Sequence, residues 1–477
     1  MNTPTRRQRF LMEIIRPLAA IFLSLAEKIF SPVADGFNFQ EYLIDLKKVL
    51  DELGAEAAKT ILENLDQELR ESKARKQEWI IVKNNAPKEI LTPFGPVSYE
   101  RTYYRHKESG TYSHLVDEKA GITPHSRLSL GMKAELTAVC SDLSYERATD
   151  QLSLHNPALK VSKQTASNYV RAFQATPKPP PKEKRHVERL YVEADEDHVK
   201  LGSRRGQVRL VYVHEGVVQD PRPHLVNARY FTTVRKSPEE FWTEVLDYLD
   251  SHYDLESVNE IFLSGDGAPW IQAGKEYIPN SIFLLDKFHL SKSIVTATAH
   301  AKELKKEIYK GIGLLDKEHV MRRLAEALEL AKTEPRQKRV LATVKYIGNN
   351  WDGIKNGVIH SHVGCSAEGH VSHILSARLS SRPMAWSLLG AERMALIRAT
   401  RANGESIQEH IQAASSQAPV IIELKTRIKK ELKHLKKCLR FGKEYLNNAP
   451  VYSGGHNLTR AALKGLLPPS RVWGVPV

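Results

Sequence analysis

Residues 188–201, ERLYVEADEDHVKL, constrain the fold more than any other stretch of the chain. The run has the apolar, β-branched character of a buried strand, yet it ends among acids. A strand turns successive side chains to opposite faces, so Glu193, Asp195 and Asp197 stand in line while Val192, Ala194 and Glu196 face away. Carboxylates so placed repel and raise one another's pKa, and inside a core a bound divalent cation is the simplest way to neutralise them. An edge strand whose acids face water is the alternative. The flanking sequence weighs against that alternative.

A chain of 477 residues holds about three domains at roughly 150 residues each. Its formal net charge of +14 points to a polyanionic partner. Cys140, Cys365 and Cys438 form no CxxC pair, which argues for a reducing, cytoplasmic setting and against a zinc-ribbon scaffold. The apolar run 17–26 is too short to span a bilayer and is flanked by Arg16 and Glu27, so it reads as an amphipathic helix and no membrane partner is expected.

Residues 1–83 read as helical: Phe39, Leu43, Leu46, Val49, Leu50 and Leu53 recur at helical steps, and Ile61, Leu62, Leu65 and Leu69 continue them, as in packed or self-associating helices. Within 84–175, Pro93, Gly95 and Pro96 punctuate a hairpin over 90–99. Arg101, Tyr103, Tyr104 and Arg105 after it suit either nucleic-acid contact or a small packed hairpin. A helix from Ser144 is broken at Asn156-Pro157, and Ser162 caps another. That is helix-turn-helix spacing with a long turn. Its second helix would offer Lys163, Gln164, Ser167, Asn168 and Arg171 to DNA while Ala166, Tyr169 and Val170 pack inward; an ordinary helical hairpin is the alternative.

The proline-rich stretch 176–187 predicts an extended linker. Beyond it, over 188–403, the chain should change to a domain built on strands: the acid strand, two further runs in an antiparallel meander, and a helix capped by Ser237 with Glu240. Two apolar strands then end in acids, one at Asp266 between Gly265 and Gly267 and the other at Asp286, followed by His289. Charged amphipathic helices fill about 290–360 as an insertion. Glu368 follows the candidate N-cap Ser366, where it serves equally as a stabilising first-turn acid, and Arg378 and Arg382 near the far end of that helix can hold phosphates. Residues 404–477 are expected to be a basic helical region, with a helix over 421–443 suited to tracking a phosphate backbone.

Together LYVEADEDHVKL, LSGDGAPWI, LLDKFHLSK and CSAEGHVSHILSARLSSRPMAWS resemble the ISLre-type transposases of bacterial insertion sequences, relatives of the Mutator-like DDE group. The resemblance implies a mixed α/β chain: an RNase H-like catalytic domain with a helical insertion, preceded by mainly helical DNA-binding domains. It implies Asp195, Asp266 and Glu368 as a triad holding two Mg²⁺ or Mn²⁺ ions, with Asp197 as an alternative first acid and Asp286 and His289 matching the family's aspartate-x-x-histidine signature. The implied activity is cleavage at the element's terminal repeats and joining of 3′ ends to target DNA, by a homo-oligomer on DNA at the bacterial nucleoid. A catalytically silent DNA-binding derivative is the rival. Zinc held by Cys365, His370 and His373 with His360 and His362, and a tyrosine recombinase using His319, Arg322 and Tyr346, are weaker alternatives.

Overall fold

The computed structural model describes residues 38–416 and the isolated positions 19 and 23. The helices expected over 17–26 and 421–443 lie outside the described residues, apart from those two positions. The chain divides into compact units 1–412 and 413–477; the sheets, and every helix that ends before Ile407, belong to the first.

Helix α1 (Phe39–Glu71) opens at Asn38, whose side chain accepts from the Gln40 and Glu41 amides. Its first half leaves Leu43, Ile44 and Leu50 exposed. Its second half lays Ala58, Leu62, Leu65 and Leu69 on Ile90, Val97 and Tyr99. After α2 (Lys73–Glu78), strands β1 (Trp79–Thr92), β2 (Gly95–His106) and β3 (Tyr112–Ser113) form a small antiparallel sheet. The hairpin is longer than its Pro/Gly turn suggested and takes residues 79–83 from the expected helical region, because aromatic and β-branched residues start the ladder at Trp79↔His106. Asp66, buried in α1, accepts from the Thr102 amide and hydroxyl at 2.9 and 2.6 Å and locks helix to hairpin. Tyr104 is buried and Arg101 is paired with Asp117 under the short α3 (Leu115–Lys119). Both therefore build the hairpin's interior.

Helices α4 (Leu130–Cys140), α5 (Tyr145–His155) and α6 (Lys163–Ala172) come next, with Ser129, Ser144 and Ser162 capping through their side chains. The segment 176–187 carries no helix and is pinned at both ends: the Thr176 amide donates to His410, and Arg185 exchanges main-chain hydrogen bonds with His252 and Asp254.

The principal sheet has five strands. β4 (Arg189–Leu201) pairs antiparallel with β5 (Arg204–His214), and β5 pairs antiparallel with β8 (Arg229–Thr233) beyond the short ribbon β6 (Val217–Val218) and β7 (His224–Leu225). After α7 (Pro238–His252), whose Ser237–Glu240 capping box is formed as expected, β9 (Glu260–Gly265) joins the other side of β4 in parallel. β10 (Ser281–Leu285), beyond the single turns α8 (Pro269–Gln272) and α9 (Gly274–Tyr277), joins β9 in parallel. The order is β10–β9–β4–β5–β8.

One face of this sheet carries Leu190, Val192, Ala194, Val211 and Val213 into a core with α7, α10 (Lys287–Ala297), α11 (Lys302–Gly313), α12 (Lys317–Glu329), α13 (Glu334–Asn349) and α14 (Trp351–Ile359). The other carries Val199, Val208, Leu210 and Tyr212 into a core shared with α4–α6, with α15 (Ala367–Val371, continued through a π-helical turn Ser372–Ser376 to Leu379) and with α16 (Leu388–Ala402). The three helices before the proline stretch thus share one core with the acid-bearing face of the sheet, α6 lying against α16 and the end of α4 joined to α15. α17 (Ile407–Ser416) ends the described chain.

Candidate functional site

Register places the acids. Ala194 pairs with Gly265, and Gly265 pairs with Leu285, so Asp195, Asp266 and Asp286 occupy consecutive places across β4, β9 and β10. Asp266 and Asp286 follow the last residues of β9 and β10, while Asp195 stands inside β4 at the level where those two parallel strands end. Gly267 has φ +87°, and a Cβ there would collide with the Asn350 side chain, so the turn after Asp266 requires glycine. Asp266 Oδ1 accepts the Ala268 amide at 2.8 Å, and its carbonyl accepts Tyr346 Oη at 2.8 Å.

Asp286 caps α10. One oxygen accepts the Phe288 amide at 3.0 Å and the other meets His289 Nδ1 at 2.9 Å. His289 Nε2 then stands 3.8 Å from Glu368 Oε2, across the sheet edge on the first turn of α15. The Asp286 hydrogen bond, with Asp195 and Asp266 nearby, raises the His289 pKa against the opposing effect of burial.

The three same-face acids of β4 have different surroundings. Glu193 is 4% exposed and takes Tyr212 Oη at 2.6 Å, His214 Nε2 at 3.0 Å and the Ser366 amide at 2.5 Å. Burial opposes its charge, but the His214 and Tyr212 hydrogen bonds, the His214 ring and the Ser366 amide hold its carboxyl below the ordinary range. Asp197 Oδ1 accepts Ser380 Oγ at 2.9 Å, while its Oδ2 is buried without a protein partner. Asp195 is 6% exposed and receives the Glu196 amide at 2.8 Å. Burial pushes its pKa up to about 7, with Asp266 and Glu368 adding to the rise and the Glu196 amide and His289 opposing it. Of the three, Asp195 is the one placed among the other candidate acids, and Ser380 draws Asp197 toward the end of α15. Glu196, on the opposite face, accepts the Trp270 indole.

The donor set fits a hard cation in kind: carboxylate oxygens, one imidazole, and no lysine or arginine paired to Asp195, Asp266 or Glu368 among the described residues. The Glu368 side chain is 60% exposed. Among the described residues no three His, Cys, Asp or Glu side chains stand close enough together to hold a metal ion.

Two expected DNA-contacting residues are placed otherwise. Arg378 is 5% exposed; its Nε donates to the Cys140 carbonyl at 2.9 Å and its guanidinium lies 4.9 Å from the Trp386 ring centre, so it joins α15 to α4 inside the core and holds no phosphate. Ser167 is buried on the inward face of α6 with Ala166 and Val170. Lys163, Gln164, Asn168, Arg171 and Arg382 are exposed; Gln164 bonds Asn168 at 2.9 Å and Lys163 stands 3.8 Å from Glu146.

The rival constellations are dispersed. His370 packs between Tyr212 and Tyr230, and His360 and His362 lie against Phe262. His319 faces Glu307, while Tyr346 is engaged with the Asp266 carbonyl. The His214, Tyr212 and Ser366 partners of Glu193 carry no local sequence signal. The Glu193↔Tyr212 pairing follows from strand register, but Ser366 is brought from another element.

These features define a mixed α/β protein whose main sheet presents a row of carboxylates where its parallel strands end. The chain belongs to the uncharacterised protein family UPF0236, whose model matches residues 33–413. It is 39% identical over 381 residues to a UPF0236 protein of Caldanaerobacter subterraneus subsp. tengcongensis, covering 78% of this chain and 81% of that one. A second from that bacterium, 38% identical with 79% and 80% covered, has a name joining eleven locus designations of one genome. A UPF0236 protein in the vanSb 3′ region of Streptococcus gallolyticus is 27% identical over 388 residues, with 77% and 84% covered. Many copies in one genome are consistent with a mobile element. No helix among the described residues is long and apolar enough to cross a membrane.

Proposed function

We propose that this chain is a metal-dependent DNA transposase of the DDE type, with an RNase H-like catalytic sheet, cutting the ends of a bacterial insertion element and joining them to target DNA. The observation that carries the reading is the alignment of Asp195 and Asp266 on neighbouring parallel strands, with Glu368 opposite and His289 between it and Asp286. The strand order, an antiparallel trio followed by two strands parallel to the first, supports the RNase H-like assignment. The repeated loci of a relative's name support a mobile element, and the +14 charge suits DNA.

In this reading Asp195, Asp266 and Glu368 would hold Mg²⁺ or Mn²⁺, drawn closer together than they stand here. Two such ions, when bound, supply acidified water and stabilise the charge on the leaving 3′ oxygen. The chain's own groups set up the rest. Asp286 fixes the His289 ring through Nδ1 and so directs Nε2 toward Glu368. Water adds to phosphorus, the bond from phosphorus to the 3′ oxygen breaks, and the freed 3′-hydroxyl later attacks a target phosphodiester in the same way. Lys163, Gln164, Asn168 and Arg171 offer donors for end recognition on α6, and the working form is a homo-oligomer on DNA.

The test is a gel assay of labelled DNA from the two flanks of the gene. Cutting that requires Mg²⁺ or Mn²⁺, stops in EDTA and is lost in Glu368→Gln supports the reading. Cutting in EDTA, or undiminished cutting by Glu368→Gln, overturns it. Specific binding of the flanks without cutting under any cation would favour the silent DNA-binding derivative.

A further inference from the structure

We infer that Glu193, although it shares a strand face with Asp195, is a positioning residue: its buried carboxylate is the clamp that sets the Glu368-bearing turn against β4. The inference rests on the reading of Asp195 and Glu368 as cleavage acids and adds what holds them in relation to each other. Glu193 lies two residues before Asp195, and Ser366 lies two residues before Glu368. The two anchors meet directly: Glu193 Oε2 accepts the Ser366 amide at 2.5 Å, and Tyr212 Oη bridges Glu193 Oε2 at 2.6 Å and Ser366 Oγ at 2.8 Å. His214 Nε2 meets the other oxygen at 3.0 Å, with its Nδ1 near the Gly216 carbonyl at 3.1 Å and the Gly216 amide at 3.2 Å.

A phenol, an imidazole and a main-chain amide thus converge on one carboxylate at the base of the turn, while the Glu368 carboxylate itself remains exposed. A short helix start with no side-chain N-cap bond of its own is thereby fixed from outside. Outer partners of this kind typically contribute 10–100-fold to metal affinity or activity.

A clamp and a metal ligand respond differently to loss of charge. Glutamine at 193 keeps the acceptor for Ser366 and Tyr212, and its amide can donate to neutral His214 Nε2 if Nδ1 carries the ring proton toward Gly216. The experiment compares Glu193→Gln, Glu193→Ala, Tyr212→Phe and Asp195→Asn in full-length protein, by cleavage of flank DNA and by amide hydrogen exchange over 366–371. Glu193→Gln should cut within about threefold of the parent and exchange like it. Glu193→Ala should lose about 10–100-fold in cleavage and lose protection over 366–371, with Tyr212→Phe between them. Asp195→Asn should abolish cutting with exchange unchanged. Glu193→Gln as dead as Asp195→Asn would make Glu193 a charge-bearing member of the site and overturn the clamp. Glu193→Ala with normal exchange and normal cutting would overturn it too. If Glu193→Ala does not fold, Glu193→Gln and Tyr212→Phe still decide. Undiminished cutting by Asp195→Asn would instead remove the cleavage reading, whatever residue 193 does.

Discussion

Glu193 and Asp195 sit two residues apart on one face of one buried strand, yet their surroundings are opposite. Around Glu193 the protein supplies a phenol, an imidazole and a main-chain amide, and the carboxyl stays below its ordinary range. Around Asp195 it supplies burial and two more acids, and the pKa rises to about 7. A fold that can satisfy a carboxylate and does so is using it as structure. A fold that gathers carboxylates beside one another without a paired cation leaves a site whose charge is met from outside, and strongly shifted groups so placed point to function.

The largest effect expected from this contrast is on the open side. Asp195→Asn and Asp266→Asn should each lower cleavage by on the order of 10³-fold or more, and the double variant should be little worse than either alone, since groups acting as one unit fail together. Single-turnover cutting of flank DNA measures it; independent, multiplying losses would break the grouping.

The same division separates two arginines. Arg378 is enclosed and bonded to the Cys140 carbonyl, whereas Arg382 is exposed. Arg378→Ala should destabilise the fold by about 2–4 kcal/mol in denaturant titrations, and Arg382→Ala by less than about 0.5 kcal/mol. Equal, small effects would mean that the guanidinium contributes nothing to the joint of α4 and α15.

Stability against pH distinguishes the strained carboxylate from the satisfied one. A raised folded pKa means the native state keeps the Asp195 proton where the unfolded chain has released it, so this residue's contribution to stability falls as pH rises from about 4 to about 7. Metal-free Asp195→Asn should therefore be more stable than the parent at pH 8 by about 1–3 kcal/mol, a gain that vanishes near pH 4. Thermal unfolding in EDTA at the two pH values checks it, and a destabilised Asp195→Asn at pH 8 would contradict the shift.

The smallest effect belongs to α6. Lys163→Ala with Arg171→Ala should flatten the slope of log affinity against log salt by about two for flank DNA, while leaving cleavage per bound complex unchanged. An unaltered slope would move recognition off this helix.

Much of the architecture was legible in the chain. Alternation around Ala194, the Gly265-Asp266-Gly267 break and the Ser237–Glu240 capping box are local signals, and the strands and helix they predict are present. What local pattern could not carry was which polar group meets which. Ser167 and Arg378 look like surface donors because their types usually are, but tertiary packing turns both inward. The Glu193 clamp depends on Ser366, 173 residues away, and no spacing rule reaches that far. Likewise the helices before the proline stretch read as separate, because nothing in their sequence states that their apolar faces join the core formed with α15, α16 and the sheet.

The most direct measurement is Mn²⁺ binding monitored by electron paramagnetic resonance at pH 8 in the parent, Glu193→Gln and Asp195→Asn proteins. Glu193→Gln should bind as the parent does, while Asp195→Asn should lose at least about tenfold in affinity. Equal loss in both variants, or undiminished binding by Asp195→Asn, would contradict the division of this strand into one carboxylate that builds the site and one that serves it.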